Sequence, residues 1–234
     1  MKVTYIHHSC FLAETDNCYY LFDYFKGTLP ALNPEKPILV LASHRHGDHY
    51  HPSVFSVLKD MGMQRIFAVL SHDISSGTVP EGMPCITVSA HRTYDLPQGQ
   101  TLTTYRSTDE GVAFLIEEQK DCFYHAGDLN DWVWEEESDE YNKQMTENYR
   151  KEIGTLAQNL GEKSLTAAFV VLDPRQEKDY DRGILYFLQN IACDQVYPMH
   201  YWEKPEIIGR FLTEHPQYQN RIILTEQPDT ETAK

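Results

Sequence analysis

An apolar run that passes directly into a histidine-rich stretch constrains this chain more than any other feature. The residues PILVLAS at 37–43 carry no charge, and HRHGDH follows at 44–49. A continuous apolar run of this length is typical of a strand that is covered on both faces. The histidines therefore follow the end of a buried strand, which is where α/β proteins keep their functional groups.

The spacing within HRHGDH favours metal binding over a polar surface loop, which is the alternative interpretation. Alternate side chains of an extended chain share a face, so His44 and His46 can converge on one ion while Arg45 points elsewhere. Gly47 permits a sharp turn. We expect Asp48 and His49, after that turn, to point at a second ion.

The remaining sequence predicts one α/β domain over residues 1–234. With 41% hydrophobic residues, the 234-residue chain can bury one good-sized core. The first part is rich in short strand patterns, which include a hairpin formed by KVTYIHHSCFLAET and CYYLFDYF. A short helix is predicted between Pro52 and Gly62, and one or two helices over about residues 137–160. Strands and helices then alternate, which favours sheets covered by helices.

Composition limits the compartment and the partners. The five cysteines are scattered and form no CxxC pair, which is typical of reduced thiols in a cytoplasmic protein. No apolar run approaches membrane-spanning length, so we expect no membrane partner. A net charge of -15 would repel a phosphate backbone. We expect a small-molecule substrate, for which an anionic group is one option, and no nucleic acid.

Three motifs in order resemble the metallo-β-lactamase superfamily. HRHGDH resembles the HxHxDH signature, FYHAGDLN with Asp128 is similar to the segment of the bridging aspartate, and VYPMHYW with His200 is similar to that of the last histidine. The N-terminal YIHHSCFLAETDNCYYLFDY resembles the branch of small cytosolic hydrolases that contains ascorbate-6-phosphate lactonase. The resemblance implies an α/β fold, an αββα sandwich of the metallo-β-lactamase type with the metal site at one edge of two sheets.

The resemblance also implies a ligand set for a binuclear site. His44 and His46 would bind the first metal, and Asp128 would bridge both metals. Asp48, His49 and His200 would bind the second. Zn²⁺ is the expected cofactor, as one or two ions, with Mn²⁺ and Fe²⁺ as alternatives.

One ligand of the family pattern is missing from its usual place. Where a third histidine is expected for the first metal, the sequence reads YRSTDEG, with Ser107 at the aligned position. Because a carboxylate is a better ligand than a hydroxyl, we predict Asp109 as the substitute. His8, His72 and His91 are alternatives, each of which is at least as well explained as a structural histidine.

The function that these residues predict is hydrolysis of an ester, a lactone or a phosphodiester by a metal-bound hydroxide. Asp48 and Asp128 are the predicted catalytic residues, since either could orient the water and carry its proton. Arg175, Trp132 and Tyr201 are candidate substrate-binding residues, although an Asp173–Arg175 ion pair and ordinary packing of the aromatic residues are alternatives. A metal-binding relative without activity and a nuclease of the same superfamily are the alternative functions.

Overall fold

The computed structural model describes residues 1–224, which divide into two compact units, Met1–Ser89 and Ala90–Leu224. Each unit contains one six-stranded sheet of mixed direction. The single domain over residues 1–234 stays a prediction, and residues 225–234 lie outside the described part.

The first unit is a sheet in which the strands lie in sequence order. It comprises β1 (Lys2–His7), β2 (Cys10–Glu14), β3 (Tyr19–Phe22), β4 (Ile38–Ala42), β5 (Ile66–Ser71) and β6 (Cys85–Val88), with helix α1 (Ser53–Asp60) between β4 and β5. The first three strands pair antiparallel, and β3 to β6 pair parallel. The carboxyl ends of the parallel strands therefore meet at one edge.

Sequence patterns explain these elements. Strand β4 is buried along its whole length, as its continuous apolar run predicts. Helix α1 buries Val54, Phe55 and Leu58. It begins after Pro52, and Gly62, with a φ of 80°, follows its end, as predicted.

The second unit repeats the pattern of an antiparallel start and a parallel end. It comprises β7 (Thr93–Asp95), β8 (Thr101–Arg106), β9 (Val112–Glu118), β10 (Asp121–His125), β11 (Leu165–Val171) and β12 (Cys193–Met199), with helices α2 (Asp139–Leu160), α3 (Arg182–Asn190) and α4 (Glu206–Glu214). Strands β7 to β10 pair antiparallel, whereas β10, β11 and β12 pair parallel. The carboxyl ends of β10, β11 and β12 therefore share an edge.

Helix α2 is one continuous helix where the sequence predicts one or two. The Ser138 side chain accepts a hydrogen bond from the backbone of Tyr141 and caps the helix. Asp139 and Glu140 lie in its first turn, where acidic groups are favoured by the helix dipole. Gly161, with a φ of 58°, ends it.

The N-terminal segment differs from the prediction in one respect. The sequence KVTYIHHSCFLAET forms two strands, β1 and β2, rather than one half of a hairpin. The chain turns at His8 and Ser9, and His8 adopts a φ of 53°. Ser9 is a turn former, but His8 is not and no Gly, Pro, Asn or Asp stands beside them, which is why the turn was not predicted. Strand β7 was not predicted either.

Over residues 1–224, none of the helices is both long and apolar enough to cross a membrane.

Candidate metal centre

In the first unit, parallel pairing places Asp23 beside the start of the histidine motif. Asp23 follows β3 and Ser43 follows β4, and these strands pair in a register that sets Phe22 opposite Leu41. The backbone N–H of Ser43 donates to Asp23 Oδ1 at 2.7 Å, and the Ser43 hydroxyl donates to Oδ2 at 2.7 Å. Both side chains are fully buried. Asp23 is thus fixed at the strand edge, and sequence reasoning missed it.

The HRHGDH segment brings its histidines together. The rings of His44 and His46 lie 4.6 Å apart, and those of His44 and His49 lie 4.1 Å apart. The His49 N–H donates to the carbonyl of His46 at 3.0 Å and closes the turn between them. The turn expected at Gly47 is present, and Gly47 makes it without a left-handed φ.

A hydrogen-bond chain orients two of these rings. His49 Nδ1 lies 2.9 Å from Asp23 Oδ2, and the carboxylate can only accept, so Nδ1 carries the proton. His44 Nδ1 lies 3.0 Å from the Ser43 hydroxyl, whose own proton goes to Asp23. Both rings therefore present Nε2 as the atom that can bind an ion, which is the usual arrangement around metal-binding histidines.

The alternative ligand His8 lies near Asp48 and His49. Its Nε2 is 3.6 Å from Asp48 Oδ2, and its ring is edge-on to that of His49 at 5.6 Å. The side chain of His8 is buried, whereas that of Asp48 is 31% exposed. His44, His46, Asp48 and His49 are hereafter called the first cluster.

In the second unit, three parallel strands end in candidate ligands or their partners. Asp128 comes shortly after β10, Asp173 after β11 and His200 directly after β12. His200 Nε2 lies 3.4 Å from Asp128 Oδ1, and its Nδ1 lies 2.9 Å from Asp173 Oδ2. These three residues, all buried, form the second cluster. Its imidazole is oriented by a carboxylate, as His49 is in the first cluster.

Asp173 is held by several donors at once. The Arg175 guanidinium reaches both carboxylate oxygens, and Trp202 Nε1 donates to Oδ2 at 3.2 Å. Burial alone would raise the pKa of the Asp173 carboxyl, but hydrogen bonds from His200 and Arg175 outweigh it and lower that pKa to about 2. The Asp173–Arg175 ion pair considered from the sequence is therefore present. Asp173 also accepts a hydrogen bond from His200.

Two of the candidate substrate-binding residues line a cavity of about 220 Å³ in the second unit. Trp132 and Arg175 lie in its wall together with Asp128. Trp132 stacks on Trp134 at 5.7 Å and donates its Nε1–H to the Asp128 carbonyl at 2.9 Å. Tyr201, the third candidate, is fully buried and is absent from the described lining of this cavity.

The YRSTDEG loop, where the third histidine of the family pattern is expected, lies in the same unit. Ser107 is buried, and its hydroxyl accepts a hydrogen bond from the Asp109 backbone at 3.1 Å. Asp109 is exposed and lines the 220 Å³ cavity. Among the described residues it belongs to no group of histidine, cysteine and acidic side chains whose ligand atoms all lie within 4.8 Å of one another.

The other two alternatives for the missing histidine lie in different surroundings. His91 Nε2 is 2.9 Å from Glu152 Oε2, which is hydrogen-bonding range. His72 is exposed.

The donor chemistry of both clusters fits a transition metal. Imidazole nitrogens and carboxylate oxygens are the ligands that zinc, iron and manganese accept in proteins. Buried carboxylates hold the Nδ1 side of His49 and of His200, as they do in metal sites.

The family is identified by a match of the sequence to a family model. Residues 2–143 match the model of the family described as Beta-lactamase superfamily domain. None of the curated proteins matches the chain.

Solved structures resemble the chain over most of its length. Igni18, a metallo hydrolase from the archaeon Ignicoccus hospitalis, has a TM-score of 0.65 at 20% identity over 97% of this chain and 94% of its own. CmlA, a diiron β-hydroxylase from Streptomyces venezuelae, has a TM-score of 0.60 at 12% identity over 97% of this chain and 52% of its own. Zn²⁺-bound PqqB from Methylobacterium extorquens has a TM-score of 0.55 at 11% identity over 92% of this chain and 84% of its own.

At these identities the structural likeness shows the fold, and the expected α/β fold of the metallo-β-lactamase type is confirmed. The lactonase-like branch stays a prediction. By its matched residues and its fold, this chain belongs to the metallo-β-lactamase superfamily.

Proposed function

We propose that the chain is a metal-dependent hydrolase of a small-molecule ester, lactone or phosphodiester. The observation that carries this proposal is the pairing of a buried carboxylate with the Nδ1 atom of His49 and of His200, both at 2.9 Å. A histidine held in this way presents Nε2 to an ion, and such carboxylates are typical of metal sites. The proposed ligands are His44, His46, Asp48, His49, Asp128 and His200, with Asp109 as the proposed substitute for the missing histidine.

Two of the proposed ligands, Asp48 and Asp128, could also act on the attacking water. When bound, Zn²⁺, or Mn²⁺ or Fe²⁺ as alternatives, supplies a Lewis acid and lowers the pKa of water from about 15.7 to about 7. Asp48 is the residue best suited to pass the proton of the attacking water to solvent, because its side chain is 31% exposed. Asp128 is buried beside His200 and lines the cavity, so it can orient the water.

The cavity in the second unit supports a role in substrate binding. The Arg175 guanidinium lies over the rings of Trp134 and Trp202, with its carbon 5.8 and 4.5 Å from the two ring centroids. Arg175 Nε donates a hydrogen bond to Asp173, which fixes the plane of the guanidinium group. Arg175 can therefore offer its other edge to an anionic substituent, while Trp132 packs against the substrate body.

The test is the hydrolysis of an ester, a lactone and a phosphodiester series before and after treatment with a chelator. We expect turnover of at least one series, its loss on chelation and its return with Zn²⁺, Mn²⁺ or Fe²⁺. His49→Ala should abolish turnover, and His91→Ala, which removes a histidine paired with Glu152, should preserve it. Turnover that survives both chelation and His49→Ala would refute the proposal.

A further inference from the structure

The conformation of His8 is unusual for a residue at the end of a strand. Its φ is 53°, in the left-handed region that side chains other than glycine enter at some energetic cost. The Tyr5 hydroxyl accepts a hydrogen bond from its backbone N–H at 2.8 Å, and the β1–β2 register is irregular between Tyr5 and His7. The chain thus holds a buried imidazole in place by a strained turn, which raises the question of what the ring does there.

Distances within the chain separate hydrogen-bonded imidazole–carboxylate pairs from longer ones. His91–Glu152 and His215–Asp181 have N···O distances of 2.9 and 2.7 Å, within hydrogen-bonding range. His8 Nε2 lies 3.6 Å from Asp48 Oδ2, which is too long for a hydrogen bond. The separation of His8 Nε2 from Asp48 Oδ2 therefore calls for an explanation other than a hydrogen bond.

A shared ion accounts for that separation. Two ligand atoms that each lie about 2.0–2.1 Å from a tetrahedral zinc ion are roughly 3.4 Å apart. The His8–Asp48 distance of 3.6 Å is close to this value. Ligand atoms of His8, Asp48 and His49 all lie within 4.8 Å of one another, so one ion could contact all three.

We propose that His8 is a protein ligand of the ion held by Asp48 and His49. The inference rests on the proposed metal binding and adds a ligand that the family signature does not include. It also differs from the sequence-based alternative, in which His8 would complete the set of His44 and His46. The first unit would then supply two imidazoles and one carboxylate to a single ion, a donor set that zinc accepts.

The experiment uses the full chain with its metal replaced by Co²⁺, whose unpaired electrons shift the N–H resonances of coordinated imidazoles. His8→Asn is the main variant, because asparagine tolerates a positive φ and should preserve the turn. We expect the variant to lose one shifted imidazole resonance and to bind Zn²⁺ at least about 10-fold more weakly in chelator competition. His91→Ala is the control and should change neither readout.

A second variant separates ligation from a purely structural role. His8→Asp also tolerates the turn and restores an oxygen ligand, so its Zn²⁺ affinity should exceed that of His8→Asn. If His8 were not a ligand, both variants would keep every shifted imidazole resonance of the wild type. An unchanged count of shifted resonances in His8→Asn would overturn this inference and leave the proposed function standing. Failure of the wild-type chain to bind Co²⁺ or Zn²⁺ would refute both.

Discussion

Asp23 and Asp173 show how single residues prepare a site for a metal. Each is fully buried at the end of a strand and accepts a hydrogen bond from a histidine Nδ1 at 2.9 Å. Each also has other donors, Ser43 for Asp23 and Arg175 for Asp173. Because these donors satisfy the buried carboxylates, the rings of His49 and His200 can be held in one tautomer and one orientation.

Removing either carboxylate should weaken metal binding without removing a proposed ligand. We expect Asp23→Asn and Asp173→Asn each to lower Zn²⁺ affinity by roughly 10- to 100-fold, since the amide can present its N–H₂ group to the imidazole and disturb the tautomer. Competition with a chromogenic chelator measures the affinity.

Glu152→Gln is the matched control for this prediction. Glu152 accepts from His91 at 2.9 Å, and among the described residues this imidazole–carboxylate pair belongs to no group that could hold a metal. Its loss should leave Zn²⁺ affinity unchanged. Equal affinities in all three variants and the wild type would contradict the role given to Asp23 and Asp173.

Local spacing predicts some site residues and not others. His44, His46, Asp48 and His49 were predicted as neighbours because they stand in one short segment, and the structure brings the rings of His44, His46 and His49 together. Asp23 was missed because a lone aspartate after an apolar strand has no local signature. Its role depends on the parallel pairing of β3 with β4, which only the fold supplies.

At the scale of the element, parallel strands assemble each cluster. The strands β3 and β4 end together in the first unit, and β10, β11 and β12 end together in the second. Apolar runs followed by polar residues predicted most of these strand ends. The turn at His8 was not predicted, because histidine is not among the residues whose presence signals a turn.

The loop after Asp128 is held by a close approach of helix α3. A Cβ at Gly183 would lie 1.8 Å from Asn130 Oδ1, and Asn130 itself donates to Gln176 at 2.7 Å. We therefore expect Gly183→Ala to lower the free energy of unfolding by about 1–3 kcal/mol, because the loop must move to admit a methyl group. Urea denaturation measures this change.

Gly209→Ala is the control in helix α4. Gly209 is exposed, and a Cβ there would have nothing within 4 Å. Alanine is the better helix former by up to about 1 kcal/mol, so this variant should be neutral or more stable than the wild type. If both variants unfold at the same urea concentration, the close approach of α3 to the loop does not limit stability.

At the scale of the whole molecule, buried thiol and phenol groups should make the protein less stable at alkaline pH. Burial raises the pKa of Cys122 from 9.0 to about 11 and that of Tyr105 from 10.0 to about 12. Burial also raises the pKa values of Tyr124 and Tyr149 well above their usual range. These groups are neutral when protonated, so the folded state keeps protons that the unfolded state releases.

The sign of the effect follows from proton linkage. The contribution of each group to the free energy of unfolding is complete below the pKa that the group has in the unfolded chain. It is lost as pH rises toward the pKa that the group has in the folded chain. Above about pH 9 for Cys122 and about pH 10 for Tyr105, each group should lower the free energy of unfolding by at most about 1.4 kcal/mol per pH unit, and by less where solvent screens the group. Urea midpoints measured between pH 7 and pH 11 test this, and a constant midpoint across that range would contradict it.

The whole sequence predicts the family better than it predicts the reaction. Motifs spaced along the chain indicate the superfamily, because a ligand set requires particular residues at particular strand ends. Substrate choice depends instead on a cavity wall such as that formed by Trp132, Trp134 and Arg175, and these residues carry no spacing that identifies a ligand. The cavity had to be seen in the fold.

The most direct test of the central claim is a metal titration of the protein after its metal has been removed by a chelator. Hydrolysis of the best substrate should be absent at first and return in proportion to added Zn²⁺, and it should level off at about one to two equivalents per chain. Full activity in the metal-free protein, or no return of activity with Zn²⁺, Mn²⁺ or Fe²⁺, would contradict the claim that this chain is a metal-dependent hydrolase.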